Sequence, residues 1–394
     1  MIKELKEENV LTLIKNAYIY RNDRRAFSPL EILCDGGRIT AMAEKIENIP
    51  TGTLVFDANG MAVFPGLIDV HTHGRSGADF VSANEEELSI MARDYALHGV
   101  TTVMPALASA PLEQMADSAK RISDFVPTAN QAEFCGVHLE GRYLNSKKRG
   151  AHAENMLAPL SADELEKFAF LDVLHVSAAF ELDTDGSFAK KAKEIGATLG
   201  LGHTMATYSE AKMAESRGVN AYTHLFNAMP PLHHRDGGAV AACLMGRAYA
   251  ELICDGIHIA PEMVALAYRC KGAEATTLIS DSMEATGCAD GEYSIAGNPV
   301  TVKDGKALTH DGALAGSTLT LDDAVQNLVS FCSIPLTDAI ISATETPAKQ
   351  MDVFNDCGSL DVGKKADMLF CGMDDVAKNI FKIKKIMLRG NFIN

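Results

Sequence analysis

Eight strand-like apolar runs alternate with amphipathic helical stretches, and β-like segments flank them at both ends of the chain. These observations predict the α/β class: a (β/α)8 TIM barrel with a small β-sandwich domain formed by both chain termini. Size permits this. With 394 residues, 47% hydrophobic content and 31 glycines, the chain can bury a large core and fits one large domain plus a smaller one. The expected division gives residues 1–61 and 358–394 to the β unit and 62–357 to the barrel.

From the N-terminus, Leu11 to Tyr20 reads as a strand, and Asp35-Gly36-Gly37 reads as a hairpin turn with apolar residues alternating on either side. From Ala62 onward the pattern becomes that of parallel βαβ units, with strands expected near 63–70, 100–106, 134–139, 173–179, 198–202, 220–224, 250–254 and 276–280. Helix boundaries carry ordinary signals. Asn84 with Glu87 forms a capping box, Gly99 stops the helix after His98, and Ser161 with Glu164 repeats the box. Gly291 to Gly316 reads as a hairpin excursion, followed by helices at Leu321–Phe331 and Thr337–Ala343. Strands at Ala366–Gly372 and Ile383–Gly390 are expected to fold back onto the first 61 residues.

Charge and cysteine usage narrow the function classes. The 36 basic and 52 acidic residues leave a net charge of −16, which opposes binding to nucleic acid or to an anionic membrane surface and favours a small ligand. Nine scattered cysteines without a Cys-x-x-Cys pair argue against a disulfide framework and a cysteine zinc site, and fit a reducing cytoplasm. Met1 to Val10 is charged and lacks an apolar export core, and no run approaches the roughly 18 apolar residues of a membrane helix.

The polar residues then fall where barrel enzymes place chemistry, at the C-terminal ends of strands. His71 and His73 follow the first strand, with an i, i+2 spacing that puts both imidazoles on one side of an extended chain. Glu140 ends the third strand, His203 the fifth, His224 the sixth and Asp281 the eighth. One isolated histidine would ordinarily be structural; this many at converging strand ends point to a site. Imidazole nitrogens and a carboxylate suit a divalent metal, Zn2+ first and Fe2+, Co2+ or Mn2+ as alternatives. Glu140, His203 and His224 would leave a coordination position for water, whose pKa a divalent metal lowers toward neutrality. Asp281 would handle the proton, although Ser280-Asp281-Ser282-Met283-Glu284 also reads as a helix N-cap. The Lys147-Lys148-Arg149 run reads first as solvated surface, with steering of an anionic group as the alternative.

At these residues the sequence resembles the amidohydrolase superfamily, and within it the deacetylases of phosphorylated N-acetyl amino sugars. The matching segments are Pro65–Gly74, His138-Leu139-Glu140-Gly141, Gly202-His203-Thr204, Thr223–Met229, Asp255-Gly256-Ile257-His258, Ser280-Asp281 and Leu314–Ser317. The resemblance implies hydrolysis of the acetamide of N-acetylglucosamine 6-phosphate to glucosamine 6-phosphate and acetate, by a homodimeric barrel enzyme. It implies Glu140, His203 and His224 as main metal ligands. His71 and His73 would hold a second ion that some members lack, giving one or two ions per chain. It further implies Asp281 as acid/base, His152 as a group polarising the substrate carbonyl, and Asn227, Ala228, His258 and a neighbouring subunit's Arg235 as phosphate contacts.

Two segments depart from the family pattern. Arg142-Tyr143 stands where members usually carry Pro and an aromatic, and Ala178-Ala179-Phe180-Glu181 replaces Leu-Ala-Pro-Glu. A related substrate such as N-acetylgalactosamine 6-phosphate, or a non-catalytic sugar-phosphate sensor, stands as the alternative. Neither Gly-x-Ser-x-Gly nor a nucleotide-binding glycine fingerprint is present.

Overall fold

The structure is a computed structural model and describes residues 11–393; the reading made of Met1–Val10 lies outside the described residues. Eight parallel strands form the barrel: β1 (Leu67–Thr72), β2 (Val100–Ala108), β3 (Val137–Glu140), β4 (Leu174–Ala178), β5 (Thr198–Leu201), β6 (Val219–Tyr222), β7 (Tyr249–Ile253) and β8 (Thr276–Ile279). β2 pairs with β1 and β3, and each later strand pairs with its predecessor. Asp281 N donates to His71 O at 2.9 Å, joining the chain beyond β8 to β1. Strand interiors and helix faces share one core, including Val70, Met91, Val103, Leu139, Val176, Leu199, Leu252 and Leu278.

The first expected barrel strand divides in two. Ala62–Pro65 pairs with Thr12–Arg21 and Met368–Cys371 in the sheet of the terminal strands, and β1 begins only at Leu67. Gly66 separates them and donates its backbone N–H to Asp367 O at 3.1 Å. A single apolar run thus serves two sheets, and hydrophobicity alone could not divide it.

The terminal sheet is mixed. Its order runs Asn391–Ile393, Ile383–Leu388, Met368–Cys371, Ala62–Pro65, Thr12–Arg21, Ala26–Asp35 and Arg38–Ala43, with Leu54–Asp57 also on Thr12–Arg21. It folds around its own core of Ile14, Ile19, Ile32, Val63, Met368, Phe370 and Met387, and Ala366 N donates to Gly37 O at 2.9 Å across the fold. Gly36 and Gly37 have φ of 55° and 76°, the two positive values a type I′ hairpin turn needs.

Local signals decide several boundaries. Asn84 Oδ1 accepts from Glu87 N at 3.0 Å while Glu87 Oε2 accepts from Asn84 N at 2.8 Å, completing that box. The second box is only half made. Ser161 Oγ accepts from Glu164 N, but the Glu164 carboxylate takes Tyr143 OH at 2.9 Å and Arg142 Nε at 3.3 Å instead. The excursion after β8 is a three-stranded antiparallel sheet, Gly291–Ile295, Asn298–Lys303 and Lys306–Thr309, packed through Ile295, Val300 and Val302 onto Met283 and Ala108. Among the described residues no helix is long and apolar enough to cross a membrane.

Inside the barrel, β5 carries Gly200 where three polar side chains converge. A Cβ there would lie 2.6 Å from Thr223 Oγ1, 2.8 Å from His175 Nε2 and 3.0 Å from Ser177 Oγ. The Ser177 and Thr223 hydroxyls are 2.6 Å apart, and Ser177 Oγ lies 2.7 Å from His138 Nε2, so neither hydroxyl can retreat without losing a partner. Gly200→Ala is therefore expected to destabilise the fold by about 2 kcal/mol, in the range of core overpacking. Chemical denaturation checks this; an unchanged midpoint would show that the layer has room.

Candidate metal centre

Glu140 is the last residue of β3 and its carboxylate is the hub of the site. Oε1 lies 3.1 Å from His203 Nε2 and 2.9 Å from His224 Nε2, and those two nitrogens are 3.0 Å apart. Oε2 lies 2.9 Å from His73 Nε2 and 3.5 Å from His71 Nε2. Asp281 Oδ1 faces the same pair, 3.4 Å from His73 and 3.6 Å from His71. All of these side chains are buried. They form two groups that could hold an ion, His71–His73–Glu140 and Glu140–His203–His224, sharing Glu140.

The backbone bends to make this possible. His203, His224 and Asp281 each lie two residues beyond their strand, with φ of 46°, 32° and 48°. Left-handed non-glycine residues cost of order 1–3 kcal/mol each and collect at functional sites. No helix starts at Asp281, so the N-cap reading of Ser280–Glu284 does not hold; its carboxylate faces histidines instead.

Whether a cation fits can be tested on the ring nitrogens. His203 Nδ1 donates to Lys148 O at 2.7 Å, which leaves Nε2 as a bare lone pair directed at Glu140 and His224. His71 Nε2 is buried without a hydrogen-bond partner. Burial alone would raise the Glu140 and Asp281 carboxyls, yet the surrounding histidines hold both below their ordinary range, Glu140 well below. Conversely, burial would lower His71, His73 and His224, but Glu140 and Asp281 hold all three up, His73 at about 9. The cluster demands positive charge at its centre. A divalent ion supplies it while leaving the imidazoles neutral, as ligation requires, so the donor set fits.

Around the centre lies a cavity of about 320 Å³ lined in part by His73, Glu140, His152, His203, His224 and Asp281. Asn227, Ala228 and His258 line it too, whereas Arg235 does not: it lies exposed beside His234, with Nη1 2.7 Å from that ring. His258 Nδ1 faces Asp255 Oδ2 at 2.6 Å, which leaves Nε2 as the ring's other nitrogen. Ser109 N donates to His152 Nδ1 at 3.2 Å, so that ring carries its proton on Nε2, 3.7 Å from Glu140 Oε2. Burial, then neighbouring His203, pushes His152 down to about 3, so it is neutral. A neutral N–H donor therefore points into the site.

Several residues were not anticipated. The basic run is not merely solvated: Lys147 and Lys148 line the cavity, and Lys148 Nζ donates to Met229 O at 2.8 Å. Arg142 turns away, with Nη1 on Ala110 O at 3.2 Å and its Nε on Glu164, and is not among the lining residues. Glu181 accepts from Asn145 Nδ2 at 3.0 Å, Met205 N at 2.7 Å and Thr204 Oγ1 at 2.5 Å, tying the loops after β3, β4 and β5 together. Ser109 carried no motif. Glu251 and Gln350 also went unread, although a glutamate within the run Tyr-Ala-Glu-Leu-Ile of β7 is itself an anomaly.

A closed parallel barrel with a shared carboxylate and histidines at its strand ends is the arrangement of a metal-dependent hydrolase, and the chain belongs to the amidohydrolase family, whose model matches residues 62–393. More particularly, it is 35% identical to the N-acetylglucosamine-6-phosphate deacetylase of Vibrio furnissii, over 84% of this chain and 82% of that one. It is 33% identical to the N-acetylgalactosamine-6-phosphate deacetylase of Escherichia coli O157:H7, over 82% of this chain and 86% of that one. The structure of N-acetylglucosamine-6-phosphate deacetylase from Pasteurella multocida superposes with a TM-score of 0.85 at 28% identity, covering 97% of this chain and 99% of that one.

A cluster that binds its cation only when folded is stabilised by it. Removing metal with a chelator is expected to lower the melting temperature, and restoring Zn2+ to recover it; a hundredfold excess over Kd contributes about 2.7 kcal/mol. A melting curve indifferent to both treatments would reject the site.

Proposed function

We propose that the chain hydrolyses the acetamide of N-acetylglucosamine 6-phosphate, releasing acetate and glucosamine 6-phosphate. The observation that carries this is the buried pair of groups meeting on Glu140, with Asp281 across from them, in a cavity whose wall includes Asn227, Ala228 and His258. The deacetylase relatives supply the substrate. A bound divalent ion, Zn2+ by its donor set, would be held by Glu140, His203 and His224, with a second at His71, His73 and Glu140, and would supply Lewis acidity.

The chain's own residues do the rest. Asp281 takes a proton from the attacking water and delivers it to the nitrogen as the C–N bond breaks. His152 donates its Nε2–H to the acetamide oxygen, where negative charge develops. His258 Nε2 and Asn227, with the Ala228 backbone, bind the phosphate. Lys147 and Lys148 add positive charge at the cavity wall.

Arg235 reaches the phosphate from a second copy of the chain, so the working unit is a homodimer and the residue's exposure in a single chain follows. Mixing Arg235→Ala with Asp281→Asn chains is expected to restore part of the activity that each lacks alone, because one site of the mixed dimer is intact. Turnover no higher than the sum of the separate variants would place Arg235 outside the reaction.

Asp281→Asn is expected to lower kcat by about 10²–10⁴-fold with metal content retained. Acetate release by this variant at the wild-type rate would reject Asp281 as acid/base. The same assay on the galacto epimer tests the second reading, which the relative at 33% identity favours. N-acetylgalactosamine 6-phosphate turned over faster than the gluco sugar would transfer the assignment to it. Equal turnover of the unphosphorylated sugar would overturn the phosphate contacts.

A further inference from the structure

Glu251 on β7 is a fully buried carboxylate that the reaction above leaves unused. Burying a charge costs several kcal/mol unless it is well partnered. Oε2 lies 3.3 Å from His71 Nδ1 and accepts from the His224 backbone N–H at 3.4 Å. Oε1 accepts from Gln350 Nε2 at 2.6 Å. Gln350 cannot flip without loss, because its Oε1 accepts from Thr277 Oγ1 at 2.6 Å. Each atom in the chain Thr277–Gln350–Glu251–His71 therefore has one role. The carboxylate can only accept, so in the neutral ring that ligation requires the His71 proton sits on Nδ1, and the unpartnered Nε2 has its lone pair on the side of Glu140 and Asp281.

We propose that Glu251, held by Gln350, is a positioning residue that fixes the Nδ1–H tautomer of His71 and thereby sets the affinity of the His71–His73–Glu140 group for its ion. This rests on the two-ion reading above. The effect is asymmetric within the site. Glu251 touches the ring of His71 but only the backbone of His224, and the His203 ring is fixed separately by Lys148 O.

Full-length protein stripped of metal and titrated with Zn2+ against a competing chelator, with ion content read by mass spectrometry, tests this. Wild type is expected to take two ions per chain. Glu251→Gln should weaken one of them by about 10–100-fold, the usual cost of losing a partner behind a ligating histidine, and leave the other unchanged. In His71→Gln the same ion is lost, and adding Glu251→Gln to it should cost nothing further, since the effect passes through His71. Gln350→Met keeps the carboxylate but frees it, and should weaken the same ion by a smaller factor; it carries the test if Glu251→Gln does not fold. Two ions in wild type with an unaltered affinity in Glu251→Gln, or equal weakening of both ions, would overturn the positioning role alone. A single ion at saturation in wild type would overturn the two-ion reading and this inference with it.

Discussion

The site depends on a buried carboxylate that five histidine side chains approach, four of them in the two ligand groups. Glu140 has no exposure to speak of, and its two oxygens face opposite pairs, His203 and His224 on one side and His71 and His73 on the other. An isolated carboxylate in such a place would neutralise rather than stay charged. Here the imidazoles keep it ionised. That only moves the demand for positive charge onto nitrogen atoms already crowded against one another, as the 3.0 Å between His203 Nε2 and His224 Nε2 shows. A cation between them resolves both conflicts at once, which is why one residue can serve two groups of ligands.

The barrel makes this convergence cheap in sequence and costly in backbone. Parallel strands deliver their C-terminal ends to one rim, so residues as far apart as His71 and Asp281 come within 3.6 Å without any local signal linking them. The rim must still be turned inward, and the left-handed φ at His203, His224 and Asp281 marks where that happens. Hydrogen bonds hold the turned residues in place: Asp281 N to His71 O, Ser317 N to Asp281 O at 2.7 Å, and Leu225 N to Glu251 O at 2.8 Å. Strain at the rim is thus shared among several backbone hydrogen bonds rather than carried by any single turn.

This explains which parts were legible in the sequence. Strand ends carrying His or Glu could be read because the barrel imposes a rule on where such residues go, and all eight strands lie close to their expected positions. The division at Gly66 was not legible, since the apolar run 62–68 passes through the end of one strand and the start of the next, and only pairing distinguishes them. Nor were Ser109 and Gln350, which act through a backbone N–H and an amide whose directions depend on the fold. Arg142, two residues after Glu140, stands where the family pattern has Pro. Its φ of 66° sends the side chain out to Glu164 and Ala110 instead, so neighbourhood in sequence was the wrong measure.

The groups behind the rim then acquire a common logic. Four of the rings have one nitrogen committed to the scaffold and one left for chemistry: His203 through Lys148 O, His152 through Ser109 N, His258 through Asp255, His71 through Glu251. The partner's nature sets the role. Acceptors behind His203 and His71 leave a lone pair facing the site, suited to a cation. A donor behind His152 leaves an N–H, suited to an oxygen. A single side-chain type therefore supplies both ligands and a hydrogen-bond donor within one cavity, and what separates them is the scaffold atom behind each ring.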